Sequence, residues 1–174
     1  MQRTYFKEEQ KFTQVWLWVL LIISITAAIL PYAVLLFEGL IKSKPYGEKP
    51  TFDDSVLITF IVTLLVSIGI IVLFWKTKLI TEVKTDGIYL RFPPFFFKDK
   101  VFGTDEIETY EIRQYKAIRE YGGWGIRHGG SGKAYNVRGN IGLQLVFRNS
   151  KKLLIGTQRK DALLRAMNKM MKSE

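Results

Sequence analysis

The sequence predicts a membrane α-helical hairpin followed by a mainly-β domain that ends in one α-helix. Three observations predict it. Two uncharged apolar runs stand near the start, Val15–Phe37 with 20 apolar residues of 23 and Val56–Trp75 with 16 of 20. From Lys76 onward, apolar and polar side chains alternate in strand fashion. Near the end, the apolar residues switch to a spacing of three and four. The chain has 174 residues and no cysteine, which excludes a large multidomain enzyme and a disulfide-stapled secreted domain.

A hydrocarbon core of about 30 Å needs about 20 helical residues, so each run is long enough to cross it. A pair of buried core helices is the soluble alternative, but uncharged runs of this length are rare there. A cleaved signal peptide would fit the basic start at Arg3, Lys7 and Lys11, yet its apolar core spans only about 7–15 residues. The expectation is therefore two retained spans, 15–37 and 56–75, joined by a loop at 38–55. Residues 1–14 are expected to form a cytoplasmic tail and residues 76–174 a cytoplasmic domain. Orientation follows the basic flanks. Three basic residues before the first span, with Lys76, Lys78, Lys84 and Arg91 after the second, outnumber Lys42, Lys44 and Lys49 in the loop. Trp16, Trp18 and Trp75 fall at one interface as an aromatic belt.

Within the spans, Thr59, Thr63 and Ser67 make a stripe of small residues, and Ser24 and Ala28 offer a similar face. Pro31 is a candidate kink. Neither run contains an ionisable residue, which argues against a transport pathway.

The region from Lys76 holds 20 Lys or Arg and 10 Asp or Glu, the whole formal charge of +10. Leu79, Thr81 and Val83 alternate before an Asp86-Gly87 hairpin signal, and Ile88, Leu90 and Phe92 alternate after it. Ile141, Leu143, Leu145 and Phe147 keep strict period two, with a turn expected at Asn149-Ser150 and a further strand from Lys152 to Ile155. Tyr110 and Ile112 lie in one register and Tyr115 and Ala117 in the other, which a bulge near Gln114 reconciles; a helix there is the alternative. Ala162, Leu163, Ala166, Met167, Met170 and Met171 mark an amphipathic helix of about 14 residues with Thr157 as its cap.

The segments Glu120-Tyr121-Gly122-Gly123-Trp124-Gly125-Ile126-Arg127, Gly132-Lys133-Ala134-Tyr135-Asn136-Val137-Arg138-Gly139 and Gly156-Thr157-Gln158 resemble bacterial membrane proteins that carry a pleckstrin-homology-like (PH-like) domain. The resemblance covers roughly residues 77–171. It implies a seven-stranded PH-like barrel capped by a C-terminal helix and preceded by a two-helix anchor. It says little of activity, since the fold hosts binding modules of many kinds. The superfamily's inositide-binding pattern places basic residues across the first hairpin. Lys84 and Arg91 stand at its ends, but Tyr89 occupies a position that the pattern makes basic.

Six of the eleven residues from Gly122 to Gly132 are glycine, yet neither a Walker A loop nor a dinucleotide fingerprint fits their spacing. Tight turns explain most of that content. The same loop, with Gly122, Gly123, Trp124, Arg127, His128 and Lys133, is the candidate partner or ligand loop. One histidine and no cysteine leave no zinc site of the usual kinds. No catalytic or cofactor-binding residue is expected. The segment Phe95, Phe96, Phe97, Lys98 and Lys100 should return to the bilayer after the first hairpin. There it would act as an interfacial wedge, with its lysines on anionic headgroups, or plug the end of the barrel. A +10 charge also permits nucleic-acid binding, but no such motif is present and anionic lipid accounts for it. The expected function is a protein- or lipid-interaction module on the inner membrane of a bacterium. Its partners would be membrane lipids and a protein at the membrane. An accessory subunit of a transporter and a lipid-modifying enzyme are the alternatives.

Overall fold

The structure is a computed structural model that describes residues 3–42 and 54–172. It divides into two compact units: Thr13–Trp75, and the chain up to Phe12 together with the chain from Lys76.

The first unit holds α1 (Val15–Lys42) and α2 (Asp54–Lys76), each long and apolar enough to cross a membrane. Their most apolar stretches are 0% and 6% buried, unlike the core helices of a soluble fold. α1 continues past Phe37, where the apolar run stops, and Pro31 lies inside it without ending it. Hydropathy follows hydrocarbon thickness, whereas a helix ends where its backbone hydrogen bonding ends. The small polar side chains are satisfied within their own helices. Ser24 Oγ donates to Leu20 O at 2.8 Å, Thr59 Oγ1 to Ser55 O at 2.7 Å and Ser67 Oγ to Thr63 O at 2.7 Å. Lys44 and Lys49 of the expected loop lie outside the described residues.

The second unit contains two sheets. In the first, β1 (Thr4–Lys11), β2 (Lys78–Lys84), β3 (Gly87–Phe92) and β4 (Phe96–Gly103) lie side by side in that order, all antiparallel. The expectation of a separate N-terminal tail at 1–14 is thereby corrected, because Thr4–Lys11 is a strand of the domain. Its register pairs Lys11 with Lys78, the residues nearest the two helices. Phe6, Glu8 and Gln10 all point to the buried side. The two polar ones find partners there. Glu8 Oε2 accepts from Thr157 Oγ1 at 2.7 Å and its Oε1 from the Gln158 N–H at 2.8 Å, while Gln10 Nε2 donates to Gly156 O at 2.7 Å. A strand at the start of the chain is thus fastened to a turn some 150 residues later.

The second sheet has the order β5-β8-β9-β7-β6, from β5 (Ile107–Gln114), β8 (Ile141–Phe147), β9 (Lys152–Gly156), β7 (Gly132–Asn136) and β6 (Gly125–Gly129). Only β7 and β9 run parallel. Among the described residues there are nine strands in two sheets, and the sheets do not close into a barrel. The expected seven-stranded closed form is not what the chain adopts. α4 (Lys160–Met171) buries Leu163, Ala166, Met167 and Met170 against the sheets, and Leu79, Val83, Ile88, Leu90, Leu143 and Leu154 fill the interior.

Three local expectations shift. Lys84 pairs with Gly87, so the first hairpin turns on Thr85-Asp86; a Cβ on Gly87 would stand 2.4 Å from Phe102 O. The register change after Gln114 is not a bulge. β5 ends there and a short helix, α3 (Ala117–Tyr121), begins. Thr157 is not the cap of α4, which starts after Arg159; its Oγ1 instead accepts from the Arg159 N–H at 3.0 Å while donating to Glu8.

Glu8→Ala would strand the buried Thr157 hydroxyl and the Gln158 N–H, and is expected to cost about 1.5–3 kcal/mol. An unchanged thermal midpoint for the detergent-solubilised chain would contradict this. A fragment that begins at Lys76 lacks β1 and is expected to aggregate, whereas Phe12 joined to Thr77 through an Asn-Gly turn should fold in solution. Gel filtration and circular dichroism of the two fragments make the comparison, and an equally folded Lys76 fragment would show β1 to be dispensable.

Candidate functional site

Two features of the second unit stand apart from its packing. The first is the turn between β3 and β4. Its Pro93–Pro94 bond is cis, and the Lys78 N–H donates to Pro93 O at 3.1 Å, so the turn sits at the sheet end where β1 stops and β2 starts. The three phenylalanines divide. Phe96 packs inward, its ring 5.7 Å from Tyr135 and 6.3 Å from Phe92, while Phe95 is 59% and Phe97 70% exposed. Phe96 is thus the ring that packs into the domain, while Phe95, though 5.9 Å from the Phe92 ring, and Phe97 are mostly exposed. Lys98 is exposed beside them. In the helical unit Trp16 and Trp75 are 52% and 71% exposed, and Trp18 is half-buried.

The second feature is a cleft of about 750 Å³ between β4 and the β6–β7 hairpin, lying where the two sheets fail to meet. Lys100, Lys133, Lys151, Lys152 and His128 line it, with Glu106 as the one acid. Its apolar lining includes Phe102, Phe147 and Leu153, with the Phe102 and Phe147 rings 5.4 Å apart. Lys100, expected at the membrane interface, lines this cleft. Its Nζ donates to the Tyr135 hydroxyl at 3.1 Å and stands 4.2 Å from the centre of the Phe96 ring.

The candidate glycine loop also divides. Gly122, at φ 70°, ends α3 as a left-handed cap, and the Gly123 N–H donates to Ala117 O at 2.9 Å, closing the helix. Trp124 packs against Tyr115, Tyr121 and Leu154, and Arg127 Nε folds back on Trp124 O at 2.9 Å. These four serve the fold. His128 and Lys133, paired across the hairpin, are the members that face the cleft. Lys151 and Lys152 are the cleft residues that sequence reasoning missed. Their signal was a lysine doublet directly after the Asn149-Ser150 turn, which leads into the start of β9 beside β7.

Charge is distributed unevenly around the domain. On the first sheet, Glu82 gathers Lys7 at 2.9 Å, Arg91 at 3.0 Å and Lys84 at 3.5 Å. The hydrogen bond from Lys7 holds the Glu82 carboxyl below the ordinary range in spite of its burial, with Arg91 and Lys84 adding to the effect. Both cations of the inositide-like pattern, Lys84 and Arg91, are therefore already engaged by Glu82. On the second sheet, Arg113 joins Glu120 at 2.9 Å, the Tyr121 hydroxyl at 3.1 Å and Gln144 at 3.1 Å, bracing α3. Burial pushes the nearby Tyr115 hydroxyl up to about 12. The four cleft lysines, by contrast, have no carboxylate within 4.0 Å among the described residues. No group of three or more metal-binding side chains occurs among the described residues.

No protein-family model matches the chain, and no curated protein matches it significantly.

Because the Glu82 carboxyl titrates lower in the folded than in the unfolded chain, its contribution to stability is present above about pH 4.5 and lost as the pH falls through its lowered value. Glu82→Gln should be less stable at neutral pH and should flatten that part of the acid-unfolding curve. An acid limb identical to the parent's would remove Glu82 from the account.

Proposed function

We propose that this chain is an integral membrane protein of the bacterial inner membrane. In this reading α1 and α2 anchor a PH-like binding domain at the cytoplasmic surface, where it serves as a protein- or lipid-interaction module. The pairing of β1 with β2 carries the reading. The strand before the helices and the strand after them are neighbours in one sheet, so helices that cross must cross as a pair, with both flanks on one side. The basic flanks assign that side to the cytoplasm. Two sheets with a C-terminal helix packed on them support the PH-like form in outline, while the parallel β7–β9 pair and the open gap depart from the barrel that the resemblance implies.

The exposed Phe95 and Phe97 support a surface that meets lipid. They stand at the end of the sheet from which the chain runs into α1 and to which it returns from α2. In water, two open phenyl rings forgo about 1.5–3 kcal/mol each of burial free energy, which insertion among acyl chains recovers. Lys98 beside them adds about 1 kcal/mol near anionic headgroups.

The absence of native cysteine makes the test direct. Glu48→Cys should react with an impermeant maleimide from outside intact spheroplasts, and Asn149→Cys only after permeabilisation; the reverse pattern would overturn the orientation. A bimane on Phe97→Cys should be quenched by shallow spin-labelled lipid, while one on Asn149→Cys should not. Equal quenching at the two positions would end the wedge assignment.

A further inference from the structure

We propose that the cleft between β4 and the β6–β7 hairpin is a binding site for a phosphate monoester attached to an apolar group. The inference is independent of how the helices or the Phe95–Phe97 edge sit. Lys100, Lys133 and Lys151 line this hollow from β4, β7 and the β8–β9 turn, three segments distant in sequence, and Lys152 lines it at the start of β9. None has a carboxylate partner among the described residues, although the same domain neutralises Lys7, Lys78, Lys84, Arg91 and Arg113 with Glu or Asp. The ammonium groups of Lys100 and Lys133 stand 5.5 and 5.2 Å from the centre of the same Tyr135 ring, so they repel each other, and a bound anion relieves that repulsion. His128 adds a fifth basic group at the mouth, and Glu106 is the only acid to offset them.

The anion has a second half to satisfy. Phe102, Phe147 and Leu153 give the cleft an apolar lining, with Phe147 8% and Leu153 3% exposed. A volume of about 750 Å³ matches a small-molecule site. Several point-charge ammonium groups favour a phosphate dianion over a carboxylate monoanion, and the apolar lining favours an ester over inorganic phosphate.

The glycines mark where the site is open. Gly129 and Gly132 have structural reasons, since a Cβ on either would stand 2.1 Å from Glu120 O or 2.4 Å from Lys152 O. Gly130 has none of these contacts. Nothing lies within 4 Å of its Cβ position and its backbone is outside the left-handed region, yet it lines the cleft. A bulky side chain there would fill the mouth without disturbing the fold.

The test is calorimetric titration of the full chain in phosphatidylcholine nanodiscs at low salt. Phenyl phosphate should bind saturably at one site per chain, at least tenfold more tightly than inorganic phosphate or benzoate. The double variant Lys100→Glu/Lys133→Glu and the single variant Gly130→Trp should each weaken it at least tenfold, while Lys160→Glu, on α4 and outside the cleft lining, should not. Repeating the titration in nanodiscs with phosphatidic acid distinguishes the sources. Competition there assigns a membrane lipid headgroup, and undiminished binding assigns a soluble phosphate ester. No saturable binding, equal affinity for inorganic phosphate, or indifference to both cleft variants would overturn the proposal.

Discussion

The antiparallel pairing of β1 with β2 is the constraint on which the rest of this structure depends. It places an entire helical unit between two adjacent strands, so the pair closes only when residues 11 and 78 are brought back together. The length of the insertion itself raises the closure entropy only logarithmically. Glu8 and Gln10 then set the register. Each is a polar residue on an inward position, and a one-residue slip would remove both from Gly156, Thr157 and Gln158 while burying Lys7 and Glu9 instead. Buried polar groups act here as a specificity device, since an apolar strand could slide at far lower cost.

That fastening also orders the assembly of the domain. β1 is made first, its neighbour β2 only after both helices, and its partners at 156–158 last. Until then the inward carboxylate of Glu8 has no donors, and burying it would carry an unmet desolvation cost. Arg159 reinforces the closure from the other side, its Nη1 donating to Lys7 O at 3.3 Å and its guanidinium lying 5.4 Å from the centre of the Phe6 ring.

How much of this was legible follows from the range of the interactions involved. Hydropathy is a local property, so both helices could be read from their apolar runs, and the period-two strands and the buried face of α4 were equally readable. β1 was not. Thr4–Lys11 is rich in charge, and its inward Glu8 and Gln10 invert the usual pattern, so it reads as a solvated tail. Only partners far along the chain make those two residues interior. The cleft has the same character. His128 and Lys133 were visible in the glycine loop, but Lys100, Lys151 and Lys152 join them through the β7–β9 pairing and the placement of β4, which no local pattern encodes. The glycine loop itself was read as one feature because composition cannot separate a helix cap at Gly122 from an open position at Gly130.

The two helices differ in length more than their uncharged stretches do. α1 has 28 residues and α2 has 23, about 42 Å and 35 Å at the usual rise. α1 follows β1 and α2 precedes β2, and those strands pair at Lys11 and Lys78. α1 runs on past Phe37, where Glu38 enters the sequence. Its uncharged part, Val15–Phe37, has 23 residues, and that of α2, Ser55–Trp75, has 21. Each uncharged stretch is long enough for a hydrocarbon core about 30 Å thick, and α1 adds a polar extension beyond it. The strand pair keeps the flanks of the two helices adjacent in one sheet, while hydropathy alone sets the similar length of their uncharged stretches.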